Sequence, residues 1–202
     1  MPTKAPILPQ EVVDRFHGLL QRAIQAGEPE PTAMGLATAD AATGRPSLRV
    51  VLLKHLDRDG FVFYTNTLSS KGRQLAANPQ AAICVHWKHL DLQVQVRAEG
   101  GVEPVSAAEA DDYFASRPRG SQIGAWASRQ SQPLSSRGEL ERRIAEVERR
   151  FQGRDVERPP HWSGYRLRPD RVEFWHGREF RLHDRLLYVC EGGQWREERL
   201  YP

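Results

Sequence analysis

Apolar residues recur at two different spacings along the chain, and the change of spacing separates helices from strands. Between residues 9 and 26 they return every three or four positions, which predicts an amphipathic helix that ends at Gly27. Beyond this helix, short apolar runs rich in branched side chains and bounded by turn residues predict β-strands. The predicted strands are 33–38, 49–54, 61–65, 81–87, 92–98, 162–168, 172–175, 186–189 and 195–200.

The run from Arg49 to Lys54 is the most distinctive of these strands. Four branched apolar residues lie between its two cations, and turn residues at 57–60 precede the run 61–65, which predicts a hairpin between the two strands. We interpret the first strand as buried on both faces. Because side chains alternate along a strand, Arg49 and Lys54 would point to opposite faces, each toward an anion. The alternative is that both cations simply reach water.

We expect a single domain over residues 1–202, because a chain of this length can bury a substantial core. Short turns between the strands predict an antiparallel sheet, so the fold class is mainly β with flanking helices, built on a small antiparallel barrel. The expected segments are a flexible arm at 1–8, the N-terminal helix at 9–26, a helical insertion at 106–151 with helices at 106–116 and 137–151, and C-terminal strands at 162–202.

Composition narrows the class of protein without identifying it. Of the 202 residues 39% are hydrophobic and 27% charged, and the net charge of +3 suits anionic small molecules as well as nucleic acid. We interpret Cys84 and Cys190 as reduced core thiols. The sequence shows neither an apolar signal segment nor a run of membrane-spanning length, so we expect no membrane partner and a cytoplasmic location.

Cations and hydroxyls form a first set of candidate ligand-binding residues. Arg offers a bidentate fork, Lys a point charge and Ser or Thr a short donor, which together suit one or two phosphate monoesters. A helix expected to begin at Ser69 or Ser70, with Lys71 in its first turn, adds an anion-binding feature, although an ordinary capped helix has the same signature. The set comprises Arg49, Lys54, Thr65, Lys71, Arg117 and Ser121.

A second candidate set follows the strand predicted at 172–175. Arg181, His183 and Arg185 alternate, so on a strand they would share one face, which favours an anionic or aromatic ligand. A solvated face or a nucleic-acid patch is the alternative. The sequence has no metal-ligand spacing, glycine-rich phosphate loop or nucleophile motif, so we expect no metal site and a phosphate site built from side chains.

Six blocks of sequence carry a more specific signal. They are Arg49-Val-Val-Leu-Leu-Lys54, Phe63-Tyr-Thr-Asn66, Ser116-Arg-Pro-Arg119, Ser121-Gln-Ile-Gly-Ala-Trp126, Glu173-Phe-Trp175 and Arg181-Leu-His-Asp-Arg185. In this order they closely resemble the pyridoxamine 5′-phosphate oxidases, and the resemblance covers residues 30–202. It implies an FMN-binding split β-barrel that is a homodimer, with two flavin sites at the subunit interface.

The resemblance also implies roles for the matched residues. Arg49 and Lys71 would hold the FMN phosphate, with help from Thr65, Gln130 and Ser131. The phosphate of the B6 substrate would be held by Lys54, Tyr113, Arg117 and Ser121. The whole implied flavin site is Arg49, Val50, Val51, Leu52, Leu53, Lys54, Tyr64, Thr65, Ser70, Lys71, Gln93, Gln130, Ser131, Trp175 and Arg185.

The implied catalytic residues are Arg181 and His183, which would also bind the substrate by lying over its pyridine ring. The implied reaction moves a hydride equivalent from the C4′ carbon of pyridoxamine or pyridoxine 5′-phosphate to FMN. Reoxidation by O2 gives hydrogen peroxide, and the product is pyridoxal 5′-phosphate. The protein would supply positioning and electrostatics, while the flavin carries the redox step.

The chain departs from the family pattern in three places. Ser70 stands where the family usually has Arg, which weakens FMN binding by about 1–3 kcal/mol if the lost contact is charge-assisted, and we expect Arg73 to compensate. Leu92 stands where the family often has Arg before Gln93. The N-terminal arm lacks the arginine-rich stretch that covers the substrate in some members.

Three other functions stay open on the sequence alone. The first is a split-barrel flavoprotein that binds FMN, or stores pyridoxal phosphate, without turnover. The second is oxidation of another ring, such as a phenazine precursor, by relatives that keep the flavin site but typically lose the residues for the B6 phosphate. The third is nucleic-acid binding, although the charge excess is small and no recognition motif is present.

Overall fold

Nine strands and five helices make up the described part of the chain, residues 7–90 and 92–202 of a computed structural model. The strands are β1 (Ala33–Ala39), β2 (Pro46–Leu52), β3 (His55–Asp57), β4 (Gly60–Asn66), β5 (Gln80–Trp87), β6 (Val94–Pro104), β7 (Trp162–His176), β8 (Asp184–Glu191) and β9 (Gln194–Leu200). The helices are α1 (Gln10–Gln25), α2 (Ser70–Ala77), α3 (Ala107–Ala115), α4 (Arg119–Ala127) and α5 (Arg137–Arg150). Among the described residues, no helix combines the length and the apolar composition needed to span a bilayer.

Strand β7 is the central strand of one nine-stranded antiparallel sheet formed by the described residues. Seven strands follow the order β2-β1-β5-β6-β7-β4-β3, while β8 pairs with β7 and β9 with β8. On one side β7 pairs with β6 along its length, while on the other its residues 162–167 pair with β4 and 171–176 with β8. The sheet curls around the main core, where α1 packs with the Phe16 ring 5.4 Å from both Phe61 and Trp87. The mainly β, antiparallel barrel with flanking helices that the sequence predicted is confirmed.

The predicted hairpin has a different first strand. The turn at 57–60 joins β4 to the short β3, whereas β2 ends at Leu52 and pairs with β1. The chain changes partner here, because Leu53 still donates its N–H to the Thr32 carbonyl (2.8 Å) in the β1–β2 register, whereas Lys54 donates to the Val62 carbonyl of β4 (2.9 Å). The Leu53 side chain is buried in the core. The prediction that 49–54 pairs with 61–65 is therefore wrong. Lys54 lies outside the strand, so the alternation of side chains along β2 does not set the direction of its side chain.

Strand β2 is an edge strand and is not buried on both faces within one chain. Leu48 and Val50 are 73% and 69% exposed, because β2 ends the sheet order and the described chain covers only one of its faces. Leu48 and Val50 lie two positions apart, so they share this exposed face of the strand. The predicted double burial is wrong for the isolated protomer.

The start of the described chain is packed rather than loose. Leu8 is fully buried, and its backbone makes two hydrogen bonds to Arg58, one through the N–H (2.8 Å) and one through the carbonyl (3.1 Å). The flexible arm predicted at 1–8 is therefore wrong for Leu8, whose apolar side chain belongs to the core. Residues 1–6 of the predicted arm lie outside the described residues.

The helical insertion contains one more helix than the sequence predicted. Helices α3 and α5 begin after the N-caps Ser106 and Ser136, whose hydroxyls accept backbone N–H groups. Helix α4 follows Pro118 without a side-chain cap and carries two glycines, so its sequence signal is weak. It is held instead by packing, because Ile123 is buried in a second core cluster formed by Phe114, Ile123, Phe151, Val156 and Trp162.

The run from Arg181 to Arg185 does not form a single strand. Residues 179–181 form a 3₁₀ turn, Phe180 and Arg181 have positive φ angles of 56° and 62°, and β8 begins only at Asp184. The physical reason is that residues 177–183 form the whole connection between the paired strands β7 and β8, so the chain must reverse its direction there and cannot stay extended. The predicted common face of Arg181, His183 and Arg185 on a strand is therefore wrong.

Candidate active site

A cleft of about 680 Å³ opens between the end of β2, β4 and helices α2, α3 and α4. It contains most of the cationic and hydroxyl residues that the sequence predicted, although they come from distant parts of the chain. Its lining is Val50, Val51, Leu52, Lys54, Tyr64, Thr65, Asn66, Lys71, Tyr113, Ser116, Arg117, Pro118, Ser121, Gly124, Ala125, Ser128, Gln130 and Trp162.

Lys71 enters the cleft from the first turn of α2. The Ser69 hydroxyl caps this helix by accepting the N–H of Gly72 (3.3 Å). A glycine is required there, because a Cβ would lie 2.2 Å from the Thr67 carbonyl oxygen. The ammonium of Lys71 donates to the Thr65 hydroxyl (3.2 Å) and to the side-chain oxygen of Gln130 (3.0 Å). Its partners are thus neutral oxygens.

Arg49 lies beside this ammonium and is also held by neutral oxygens. Its guanidinium donates to the Leu36 carbonyl (3.1 Å), the Thr38 hydroxyl (2.6 Å) and the side-chain oxygen of Gln74 (3.2 Å). Burial lowers the pKa of Arg49, and burial followed by the charge of Arg49 lowers the pKa of Lys71. Two neighbouring cations that contact no carboxylate among the described residues form a site that favours an anion.

Arg117 is the second centre of positive charge in the cleft. Its Nη1 is buried without a hydrogen-bond partner among the described residues, and burial lowers its pKa. The guanidinium carbon lies 4.8 Å from the centre of the Trp162 ring and 5.5 Å from that of Phe114. An unpaired buried N–H is unfavourable unless a ligand accepts from it.

Stacked aromatic rings form the wall beside Arg117. The rings of Tyr64 and Tyr113 lie 4.0 Å apart, and Tyr64 is nearly parallel to Trp162 at 5.3 Å. Gly164 makes room for this stack, since a Cβ there would be 2.6 Å from the Tyr64 ring. Burial, with a smaller effect of the Glu109 charge, raises the pKa of Tyr64 to about 12. Its hydroxyl therefore stays protonated as a donor at neutral pH.

The remaining predicted residues on this side of the protein are placed as follows. Lys54 and Ser121 line the cleft, the first from the β2–β3 connection and the second from the first turn of α4. Leu53 is buried and does not line it. Three exposed residues lie outside the lining, namely Ser70, Ser131 and Arg73, whose guanidinium donates to the Leu68 carbonyl.

The other predicted residues lie at the opposite end of β7 and form a second region. The His183 ring lies 4.4 Å from the Trp175 ring, and the Arg178 N–H donates to Nδ1 of His183 (3.1 Å), which assigns the proton of the neutral ring to Nε2. Gln93 adopts a positive φ of 63° and contacts the His86 ring at 3.2 Å. Among the described residues, Arg181 is exposed and forms no ion pair.

Arg185 in this second region is held by a buried carboxylate. Glu173, which is 4% exposed, accepts from Arg185 at 2.8 and 3.2 Å and from Arg97 at 2.7 Å. Burial acts to raise the pKa of Glu173, but hydrogen bonds and charges from Arg185 and Arg97 together hold it below its ordinary value. This arrangement of two cations on one acid was not predicted, although the acid lies within the Glu173–Trp175 block.

The two regions are far apart within one protomer. Gly164 pairs with Tyr64 at the cleft, and Trp175 pairs with Arg185 in the second region. Positions 164 and 175 are eleven residues apart on β7, which corresponds to about 36 Å of extended strand. A single chain therefore does not bring the complete set of predicted flavin and substrate residues together.

Sequence models of one family match most of the chain. The model described as pyridoxamine 5′-phosphate oxidase matches residues 20–151, and that of the pyridoxine 5′-phosphate oxidase C-terminal dimerisation region matches residues 162–202. The chain belongs to the pyridoxamine 5′-phosphate oxidase family. The resemblance seen in the sequence blocks is thereby confirmed, and with it the assignment to an oxidoreductase family.

Curated members of this family are close relatives. The chain is 57% identical over 196 residues to the pyridoxine/pyridoxamine 5′-phosphate oxidase of Myxococcus xanthus, covering 97% of this chain and 94% of that protein. It is 58% identical over 190 residues to the enzyme of the same name from Rubrobacter xylanophilus, covering 94% and 86%.

Solved structures agree with the split-barrel fold. PhzG from Burkholderia lata 383, in complex with tetrahydrophenazine-1-carboxylic acid, superposes with a TM-score of 0.88 at 33% identity and covers 100% of this chain and 97% of that chain. A pyridoxamine 5′-phosphate oxidase-related, FMN binding protein from Nostoc punctiforme gives a TM-score of 0.73 at 20% identity, with 93% and 97% coverage, which supports the fold alone.

Proposed function

We propose that this protein catalyses the FMN-dependent oxidation of pyridoxamine 5′-phosphate, pyridoxine 5′-phosphate or both to pyridoxal 5′-phosphate, with O2 as electron acceptor and H2O2 as by-product. The observation that carries the proposal is a cleft with two separate cationic centres, one at Lys71 and its neighbour Arg49, which lies outside the lining, and one at Arg117. None of these cations contacts a carboxylate among the described residues. A phosphorylated cofactor and a phosphorylated substrate require two such centres. Family membership agrees with this chemistry.

The residues present fit FMN. Its phosphate would accept from Arg49, Lys71 and Thr65, and the amide of Gln130 would lie beside it. The lining residues Val50, Val51 and Leu52 would face the flavin together with Tyr64, while Ser70, Ser131 and the backbone of Leu53 would lie at its margin. When bound, FMN supplies the hydride acceptor and passes the electrons to O2.

The substrate phosphate would occupy the second cationic centre. Lys54 and Arg117 provide charge, and the hydroxyls of Tyr113 and Ser121 provide short donors in the same lining. Nη1 of Arg117 has no hydrogen-bond partner among the described residues and would gain an acceptor when the substrate phosphate binds. This new hydrogen bond would favour the binding of a phosphorylated ring.

We place the complete site between two copies of the chain. Gln93, Trp175, Arg181, His183 and Arg185 of one protomer would face the cleft of its partner, because about 36 Å of strand separates them from their own cleft. The exposed Leu48 and Val50 would be covered by the same association. The family model over residues 162–202 is that of a dimerisation region, which supports this assembly.

Within that site, the protein orients the substrate and excludes water. Arg181, which is exposed and forms no ion pair among the described residues, is free to lie over the pyridine ring, and His183 presents Nε2–H because Nδ1 is engaged by the backbone. By holding the C4′ carbon against the hydride acceptor, the protein would replace random encounters of these two groups with one reactive orientation. A cytoplasmic location, which the two free thiols of Cys84 and Cys190 suit, belongs to the same proposal.

A second candidate function is oxidation of a tricyclic ring. The likeness to PhzG, at a TM-score of 0.88 over nearly the whole of both chains, favours it. Retention of Lys54, Tyr113, Arg117 and Ser121 in the cleft favours the B6 phosphates instead.

The deciding experiment follows O2 consumption by purified, FMN-loaded protein with each B6 phosphate, and in parallel the absorbance of the aldehyde product. Turnover with either B6 phosphate supports the proposal and shows which form is preferred. Tetrahydrophenazine-1-carboxylic acid is assayed alongside, and turnover with it alone would favour the second candidate. Bound FMN without turnover on any of these compounds would contradict both.

A further inference from the structure

Arg117 differs from Arg166 and Arg158, two other partly buried arginines, in what surrounds its charge. Arg166, with 12% of its side chain exposed, contacts Asp57 at 2.8 Å and Glu109 at 3.1 Å, and Arg158, with 18% exposed, contacts Asp111 at 2.5 Å. Among the described residues Arg117 forms no ion pair, and its guanidinium carbon lies over the faces of Trp162 and Phe114.

An aromatic face holds a cation without neutralising it. A carboxylate beside Arg117 would fix the side chain but would also repel a phosphate, whereas the ring quadrupole attracts the guanidinium and leaves its N–H groups available. Trp is the strongest of the aromatic partners, and Trp162 is the closer ring here at 4.8 Å against 5.5 Å for Phe114.

Trp162 is itself fixed on several sides. Its ring stacks on Tyr64 at an interplanar angle of 8° and meets the edge of Phe114 at 5.1 Å. Its backbone N–H donates to the Pro159 carbonyl (3.0 Å), and its carbonyl accepts from Arg158 (2.8 Å). With 6% of the residue exposed, the indole has little freedom to move. A rigid ring is suited to setting the position of a flexible side chain.

We propose that Trp162 is a positioning residue that determines specificity for phosphorylated substrates, by holding the Arg117 guanidinium toward the substrate phosphate. This inference rests on the proposed function, because it assigns Arg117 to that phosphate. Trp162 acts through Arg117 and has no part in the redox step. Its loss should therefore weaken substrate binding and leave turnover of bound substrate unchanged.

The test compares W162L and W162F with the wild type, and W126L serves as the matched control. Trp126 packs against the same second core cluster, lies outside the cleft lining, and has the Arg150 guanidinium carbon 4.4 Å from its ring centre. In FMN-loaded protein we expect W162L to raise KM for pyridoxine 5′-phosphate about 2- to 30-fold at constant kcat per bound FMN. W162F, which keeps an aromatic face, should give a smaller rise, and W126L none.

A double-mutant cycle with R117M separates positioning from a general packing effect. If Trp162 acts through Arg117, W162L should raise KM in the wild-type background but should cause no further rise in the R117M background. Additive effects of the two substitutions, or a fall in kcat at unchanged KM, would overturn the inference. An equal rise in KM for W126L would also overturn it. If W162L fails to fold, the same cycle is read from W162F.

A binding measurement without turnover distinguishes this inference from the proposed function. Titration of FMN-loaded protein with pyridoxal 5′-phosphate, and competition by inorganic phosphate, report on the Arg117 centre directly. Weaker binding of both probes to W162L but not to W126L supports the role of Trp162 even if the wild type proves inactive as an oxidase. An active wild type whose probe affinities do not change in W162L retains the proposed function and loses this inference.

Discussion

The cleft and the second region at the far end of β7 both contain arginines, but they hold them in opposite ways. In the cleft region, Arg49 donates to three neutral oxygens, and Arg117 lies against aromatic rings. In the second region, Arg185 and Arg97 share the buried carboxylate of Glu173. The first arrangement leaves positive charge without a counter-ion, and the second neutralises it within the chain.

This difference indicates where on the protein an anion can bind. A cation already paired with an internal carboxylate contributes mainly to structure. A cation held by neutral groups keeps its charge for a ligand, and its burial without a counter-ion costs free energy until a ligand binds. We therefore expect phosphates in the cleft, with Arg185 offering N–H groups to an uncharged part of a ligand. Substitutions in the two regions should separate accordingly into effects on stability and effects on binding.

The largest expected effect is on stability, in the variant E173Q. Replacing the buried carboxylate leaves Arg97 and Arg185 without a counter-ion, which should lower the free energy of unfolding by about 2–3 kcal/mol in urea denaturation. The control E99Q breaks the exposed pair of Glu99 and Arg171, 3.9 Å apart, and should lose less than about 1 kcal/mol. Equal losses in both variants would contradict the structural role of Glu173.

The same carboxylate predicts a pH dependence. Because its pKa in the folded protein is below the ordinary 4.5, the stabilisation is present above pH 4.5 and is lost as the pH falls through the folded pKa. The wild type should therefore lose stability below pH 4.5 more steeply than E173Q, when both are followed by urea denaturation. Parallel pH curves would show that Glu173 is not the group responsible.

The second effect is on binding, in the variant R117M. Loss of charge-assisted hydrogen bonds to the substrate phosphate should raise KM about 10- to 100-fold in the oxidase assay. The free energy of unfolding should not fall, because the substitution removes a buried N–H that has no partner. A loss of stability as large as that of E173Q would show that Arg117 is a structural cation and would abolish the contrast between the two regions.

A third, comparable effect concerns the flavin, in the variant K71M. We expect the Kd for FMN, measured by flavin fluorescence, to rise about 10-fold because one charge of the Arg49–Lys71 pair is lost. Protonated Lys71 is disfavoured in the folded state by burial and by Arg49, so FMN-free wild type should gain stability as the pH rises from the folded pKa toward 10.5. K71M should lack that gain, and an unchanged FMN affinity would argue against the assigned site.

Local patterns in the sequence predicted the elements well. The three- and four-residue spacing of α1 and the helix start at Ser69 or Ser70 each depend on a few neighbouring residues. The elements that were predicted wrongly, or not at all, depend on contacts between residues that are distant in the sequence. Strand β2 pairs with β1, which precedes it, and not with β4, and α4 forms despite its glycines because Ile123 is buried in the second core cluster.

The candidate site divides in the same way. The family resemblance identified Lys71, Arg117 and their companions, which the fold brings into one cleft. Thr65 and Gln130, which hold Lys71, were also identified. The groups that hold Arg49 and Arg117 were not predicted, because no local pattern connects them. Thr38 and Gln74 are 36 positions apart in sequence yet form a 2.6 Å hydrogen bond. Residues that act through such contacts become visible only in the folded chain.

The smallest expected effect tests one of these contacts, in the variant T38V. The Thr38 hydroxyl accepts from Arg49 (2.6 Å) and donates to Gln74 (2.6 Å), and the residue is 3% exposed. Valine keeps the volume but removes both hydrogen bonds. Arg49 then keeps two acceptors, and we expect the Kd for FMN to rise about 3- to 10-fold, as for one or two lost hydrogen bonds.

The control for this variant is T43V, which removes a hydroxyl hydrogen-bonded to Asp40 (2.7 Å) in the exposed β1–β2 turn. It should leave FMN affinity unchanged. If T38V lowers stability as E173Q does but binds FMN as tightly as the wild type, then the neutral oxygens around Arg49 serve only the fold. The distinction between cations held for structure and cations held for a ligand would then fail at Arg49, where the cleft and the sheet meet.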